Sequence, residues 1–159
     1  MALELKVCIQ NTETGKSKYY VFPQSEVTIK QELDLTDGEE YLLADWEGLN
    51  GIINENTSIA SLNRLAEKMA QIPESYSNLT HDWVVHYGSI DAFSEEFNIS
   101  DWTIVEVSRD EDFGEYLAKE VNGLKLPADM KSYFNYQAYG RDNRLALNCV
   151  VSDTYYAWQ

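Results

Sequence analysis

Two histidines, two cysteines and 27 carboxylates are the groups through which this 159-residue chain could do chemistry. His81, Asp82 and His86 fall on one predicted helix. A five-residue step turns the two imidazoles to different faces, whereas helical zinc sites use a four-residue step. Asp110-Glu111-Asp112 lacks the spaced ligands and the glycine of a calcium loop. A helix start accounts for it better, because carboxylates are favoured at the positive end of the helix dipole. The chain has no glycine-rich phosphate loop, nucleophile elbow or Cys-His pair. A glycosidase-like pair can always be found among 27 carboxylates, so finding one carries no information. Arg141-Asp142 reads as a catalytic pair or as a structural ion pair, and the second is the better account. We therefore expect no enzyme, no catalytic residue, no metal and no cofactor.

The elements that must carry these groups follow from periodicity. Leu3, Leu5, Val7 and Ile9 alternate with Glu4, Lys6, Cys8 and Gln10, which predicts a strand with one buried face. Gly15 allows a turn into a second strand at Tyr19–Phe22. Ser25 caps a short helix reaching about Leu33, Asp37-Gly38 turns the chain, and Tyr41–Trp46 is a third strand. Ile59, Leu62, Leu65, Met69 and Ile72 form the clearest helical stripe, with Thr57 as its cap and Pro73 as its end. A helix carrying Tyr76, Leu79, Trp83 and Tyr87 closes at Gly88, and Ser89 caps another holding Ile90, Phe93 and Phe97. Trp102–Val107 is a strand. Asp110 caps a helix that buries Phe113, Tyr116, Leu117 and Val121 and ends at Gly123.

Tyr133–Asp142 packs four aromatics into seven positions, then a glycine, then Arg-Asp. With Pro127 in its first turn it predicts a helix whose apolar face is Met130, Tyr133 and Phe134, broken at Gly140. Leu145–Val151 and Thr154–Trp158 form a closing hairpin around Ser152-Asp153. The fold class is α+β. Such short modules do not easily share a core, so we expect three in an elongated row: a mixed sheet–helix module at 1–56, a helical middle at 57–100, and an α+β module at 101–159.

Charge is the strongest compositional feature. Twelve Lys and Arg stand against 27 Asp and Glu, a net charge of −15 with a pI near 4.3. Aromatic content of 13% and the periodic apolar faces argue against disorder. The three sections carry −7, −4 and −4, so the carboxylates are spread along the chain and do not gather in a tail or a metal cluster. An acidic surface repels nucleic acid and anionic membranes and attracts basic proteins, although it can also serve solubility alone. No apolar run reaches the roughly 18 residues of a membrane span. The alternating start is not a signal peptide, so Cys8 and Cys149 read as reduced, packed thiols and the location as cytoplasmic.

Tyr136, Ala138, Tyr139, Arg141 and Asp142 stand where the ArdA family of antirestriction proteins carries its tyrosine-rich Ala-Tyr-x-Arg-Asp signature. Thr57-Ser58-Ile59 with Leu62-Asn63-Arg64-Leu65 resembles the family's central segment. Asp45-Trp46-Glu47-Gly48 resembles its acidic-aromatic step. The resemblance runs from about Glu39 to the end, and the first forty residues match more loosely. It implies a curved rod of three small domains that pairs as a homodimer through the third. It also implies a double-stranded DNA mimic that occupies the DNA-binding groove of type I restriction–modification enzymes and protects an incoming mobile element.

The carboxylates outside the apolar stripes are the candidate partner-binding groups: Glu32, Asp34, Asp37, Glu39, Glu40, Asp45, Glu47, Glu67, Glu74, Asp82, Asp91, Glu95, Glu96, Asp110, Glu111, Asp112, Glu115 and Glu120. Each should matter little alone, since exposed charge pairs are weak and act collectively. Tyr133, Tyr136, Tyr139, Arg141 and Asp142 are assigned to architecture or to pairing of two chains. The alternative is an acidic adaptor that inhibits some other basic DNA-binding protein.

Overall fold

The computed structural model describes residues 3–36 and 40–159. It shows an α+β chain in two compact units, Met1–Phe97 and Asn98–Gln159. The expected turn at Asp37-Gly38 lies outside the described residues.

In the first unit, β1 (Leu5–Asn11) is the central strand of an antiparallel sheet, between β2 (Ser17–Phe22) and β3 (Tyr41–Glu47). Leu5, Val7, Ile9, Tyr20, Phe22 and Leu43 are its buried set. Asn11 is itself buried and organises the hairpin. Its side-chain oxygen accepts from the backbone N–H of Glu13, and its amide donates to the Leu33 carbonyl at 3.0 Å. That second bond ties the sheet to the end of α1 (Glu26–Glu32), which Ser25 caps. β3 does not run evenly. Cys8 faces Asp45 and Ile9 faces Leu43, so Ala44 is the extra residue of a bulge.

The helical part of this unit is α2 (Ile59–Met69), a 3-10 stretch at Glu74–Leu79, α3 (Thr80–Tyr87) and α4 (Ile90–Glu96). The expected stripe buries Ile59, Leu62 and Leu65 completely. The cap of α2 is Ser58 and not Thr57, because the Thr57 hydroxyl accepts instead from the Asn54 N–H. Trp83, Phe93 and Phe97 form a fully buried aromatic cluster with ring centroids 4.7–4.8 Å apart. Gln24 and Asn63 exchange two hydrogen bonds of 2.8 Å, and Ile59 N–H donates to the Tyr41 hydroxyl, so sheet and helices share this unit.

The second unit holds β4 (Thr103–Glu106), α5 (Asp110–Tyr116) continued by a π-turn at Leu117–Val121, a 3-10 turn at Lys131–Tyr133, α6 (Tyr136–Ala146), β5 (Val150–Val151) and β6 (Tyr155–Trp158). Its sheet runs β4-β6-β5, all antiparallel. Phe113, Leu117 and Tyr156 are its core.

Several local expectations change here. The signature helix starts at Tyr136, capped by Asn135, and Gly140 lies inside it. Met130 and Tyr133 are exposed and form no apolar face. Arg109, not Asp110, occupies the N-cap of α5, and Val121 is exposed. The long strand expected from Leu145 shrinks to two residues, because α6 runs on to Ala146 and Asn148 turns the chain with a φ of 52°.

Gly140 sits where a side chain has no room. A Cβ there would lie 1.8 Å from the Asp110 carbonyl oxygen, and one on Gly114 would lie 1.9 Å from the Tyr136 carbonyl. The two glycines let the backbones of α5 and α6 touch, an approach no side chain permits.

Candidate interaction surface: the carboxylates and their partners

The sequence-assigned carboxylates fall into distinct settings. A first group is joined to cations of the same chain. Glu32 accepts from Lys18 at 2.8 Å and from the Tyr20 hydroxyl at 2.7 Å, contacts that hold its carboxyl below the usual range, Lys18 first. Asp34 bonds Lys16 at 3.0 Å. Asp91, in the first turn of α4, bonds Arg64 of α2 and the Ser61 hydroxyl, both at 2.9 Å, and Arg64 chiefly lowers its pKa. Arg109 holds Asp112 at 3.0 Å, lowering its pKa, and lies 3.9 Å from Glu111. Glu115 bonds Lys119 one turn on.

Asp110 is the least exposed member of this group. It receives Arg144 of α6 at 2.9 Å and the Tyr156 hydroxyl of β6 at 2.8 Å. The guanidinium holds this carboxyl low, while burial and the carboxylate push Tyr156 up to about 12. One side chain thus joins α5, α6 and β6. Asp110 is therefore an architectural group as much as a surface charge.

Six of the other carboxylates have no such partner among the described residues. Among the described residues, no ion pair or side-chain hydrogen bond engages the carboxylates of Glu40, Glu47, Glu67, Glu95, Glu96 or Glu120, and all six are exposed. Asp45 is exposed and, among the described residues, accepts only from the Tyr19 hydroxyl, at 2.7 Å. Glu74 is exposed at the start of its 3-10 stretch, and Asp82 is half-buried in the first turn of α3. Asp37 and Glu39 lie outside the described residues. Glu47 and Asp45 belong to β3, Glu67 to α2, Glu95 and Glu96 to α4, and Glu120 to the π-turn that continues α5, while Glu40 lies just before β3.

The signature residues divide as well. Tyr136 and Tyr139 pack on Phe134, with centroids 4.8 and 5.5 Å away, and Asn122 donates to the Tyr139 hydroxyl. Tyr133 is 81% exposed. Arg141 and Asp142 are exposed neighbours at 3.4 Å. Sequence reasoning missed Gly114, Tyr19, Arg144 and Tyr156. The glycine inside a helical pattern was the available signal for the first; the others depend on register and helix packing that one chain's pattern does not display.

Little here suits small-molecule chemistry. No group of three or more His, Cys, Asp or Glu among the described residues could hold a metal ion. His81 faces the Asn50 carbonyl at 3.2 Å. A groove of about 340 Å³ is lined mainly by apolar Leu3, Leu5, Val21, Phe22, Met69 and Ile72. No helix among the described residues is long and apolar enough to cross a membrane.

A family model described as Antirestriction protein (ArdA) matches residues 13–157. The chain belongs to the ArdA family. The match includes the signature helix, α2 and β3, the three places that carried the resemblance, and residues 13–40 of the loosely matching start. No curated protein matches the chain. ArdA membership makes this an antirestriction protein, which directs attention to restriction–modification enzymes as partners.

Proposed function

We propose that this antirestriction protein is a mimic of double-stranded DNA that occupies the DNA-binding groove of a type I restriction–modification enzyme. Duplex DNA presents one negative charge per roughly 1.7 Å of axis, and proteins that bind it draw much of their affinity from Lys and Arg contacts to phosphate. Exposed carboxylates offer those cations the same kind of partner without any base sequence. The mimic then competes at every recognition sequence, one molecule per groove, with no turnover.

The observation that carries this reading is the set of exposed carboxylates without an internal cation, distributed over both units of a chain with net charge −15. Homodimerisation, through a third module at 101–159 in a row of three, belongs to the same proposal. It is supported by the exposed apolar side chains Val121, Leu124, Met130, Tyr133, Leu145 and Leu147, which concentrate between residues 121 and 147. A two-fold pair suits a target with two recognition halves. In the cytoplasm, such a dimer would shield an incoming mobile element.

The test is inhibition of purified type I enzymes by the purified protein on substrates with unrelated recognition sequences. Equal inhibition at stoichiometric dose is expected. No inhibition, or inhibition limited to one sequence, would remove the mimic reading.

A further inference from the structure

We infer that Asp45 is an anchor for an arginine of the partner protein and that Tyr19 is its positioning residue. This rests on the mimic reading and adds to it one named contact on the outer face of the first sheet.

The geometry begins with the bulge. In an even strand, Leu43 and Asp45 would point to the same side. The register slips between them, so that Leu43 opposes Ile9 and is 1% exposed, while Asp45 opposes Cys8 and is exposed. Bulges re-aim side chains in this way. Glu47, opposite Lys6, follows Asp45 onto the outer face.

Across the sheet, Cys8 also opposes Tyr19 of β2. Tyr19 and Asp45 therefore flank the same central residue on the same face. The Tyr19 ring reaches over Cys8, which is only 7% exposed, and its hydroxyl donates to Asp45 at 2.7 Å. This bond spans two inter-strand gaps.

The pair differs from the other tyrosine–carboxylate contacts described above. Glu32 also bonds Lys18 and Asp110 also bonds Arg144, so a cation of the chain already answers each of them. No described cation bonds Asp45. A neutral donor fixes this carboxylate and leaves its charge to be met from outside. Preorganisation of that kind removes an ordering cost at binding.

The surroundings favour arginine over lysine. Tyr19 is 48% exposed and Val21, two residues on, is 44% exposed. A guanidinium can donate to the second Asp45 oxygen, lay its plane on the open part of the Tyr19 ring, and rest its stem on Val21. An ammonium lacks the planar stacking. Lys6 is the competing charge on this face. Its Nζ lies 5.3 Å from the Tyr19 ring centroid, and it makes no ion pair with Asp45 or Glu47.

A double-mutant cycle on the full-length protein tests the inference, read as the inhibition constant against a purified type I enzyme. Tyr19→Phe keeps the net charge and is expected to weaken inhibition about threefold. Asp45→Asn is expected to weaken it about tenfold, and the double variant no further than Asp45→Asn. Glu13→Gln, an exposed acid on the β1–β2 turn, is the charge-matched control and should change inhibition less than twofold. Thermal melts check that each variant is folded.

The inference is overturned if Tyr19→Phe inhibits like the parent, if the two losses multiply, or if Asp45→Asn matches the control. A parent protein that does not inhibit at all overturns the mimic reading instead. In a parallel NMR titration, N-acetylarginine amide should shift the Tyr19 and Asp45 signals more than its lysine analogue does; equal shifts overturn the choice of arginine.

Discussion

Replacing Gly140 by alanine tests whether the contact of α5 and α6 holds the second unit together. On helix propensity alone, the change stabilises α6 by about 1 kcal/mol. The crossing reverses that sign. The new methyl carbon would lie 1.8 Å from the Asp110 carbonyl oxygen and 2.7 Å from the Gly114 nitrogen, where ordinary contact needs about 3.5 Å. Both are backbone atoms, so no rotamer relieves the clash, and α5 must withdraw by roughly 1.5 Å. That shift loosens Phe113 and Leu117 from Tyr156 and stretches the Arg144–Asp110 bond. Overpacking costs about 1–3 kcal/mol and a strained charge-assisted bond adds to it, leaving a net loss of about 2 kcal/mol after the propensity gain. Urea unfolding of the full chain, with amide exchange resolving α5 and α6, measures it. Gly51→Ala is the comparison: its φ is 82° but nothing lies within 4 Å, so only about 1 kcal/mol of backbone strain is expected. If Gly140→Ala unfolds at the parental urea concentration or above it, the crossing is not the reason for this glycine.

The other expectations use the same molecule. Asp110→Asn should lower stability by about 1 kcal/mol at neutral pH, a value reduced for partial solvent access to the pair, whose side chains are 22% and 29% exposed. Because Arg144 holds the folded pKa of Asp110 below the unfolded value, the stabilisation is present above about pH 4 and is lost as pH falls through the depressed value. Melting curves of parent and variant should therefore converge in acid, and a gap that persists to pH 2 would contradict the assignment. Burial pushes the Cys149 thiol up to about 11, so about a thousandth of it is thiolate at pH 8, and a disulfide reagent should label it rapidly only after unfolding. Changing Glu40, Glu47, Glu67, Glu95, Glu96 and Glu120 together to Gln should weaken inhibition more than tenfold without lowering the melting temperature; retained inhibition argues against charge mimicry. Tyr133→Ser with Leu145→Ser should convert a dimer to a monomer in light scattering at unchanged stability, and an unchanged mass refutes pairing through these residues.

The α+β class and most elements of the first unit were legible because their signals are local: alternation in β1, the stripe of α2, and Ser25, Gly88 and Ser89 at helix ends. The second unit was read less well. Gly140 looks like a helix breaker in isolation, and only the presence of α5 against α6 makes it a helix interior. Met130 and Tyr133 have helical spacing with Phe134, but Lys131–Tyr133 forms only a 3-10 turn that leaves both exposed. For the carboxylates, the sequence revealed their number and spread and could not tell which ones a lysine or arginine already holds. That distinction depends on pairs far apart in the chain, such as Arg64 with Asp91 and Arg144 with Asp110.

Those pairs bear on how a chain of net charge −15 stays folded while keeping its surface available. Like charges oppose compaction, and each cation spent on the surface would mask a carboxylate. Among the described residues, eight of the twelve lysines and arginines bond a carboxylate. Several of these bonds join separate elements: Lys18 of β2 to Glu32 of α1, Arg64 of α2 to Asp91 of α4, Arg144 of α6 to Asp110 of α5. The few cations thus act as braces between elements, and the aromatic cores supply the remaining cohesion. A chain using its cations this way can leave other carboxylates unanswered. It follows that Glu32, Asp91 and Asp110 should be felt mainly in stability, and Asp45, Glu47 and Glu95 mainly in inhibition.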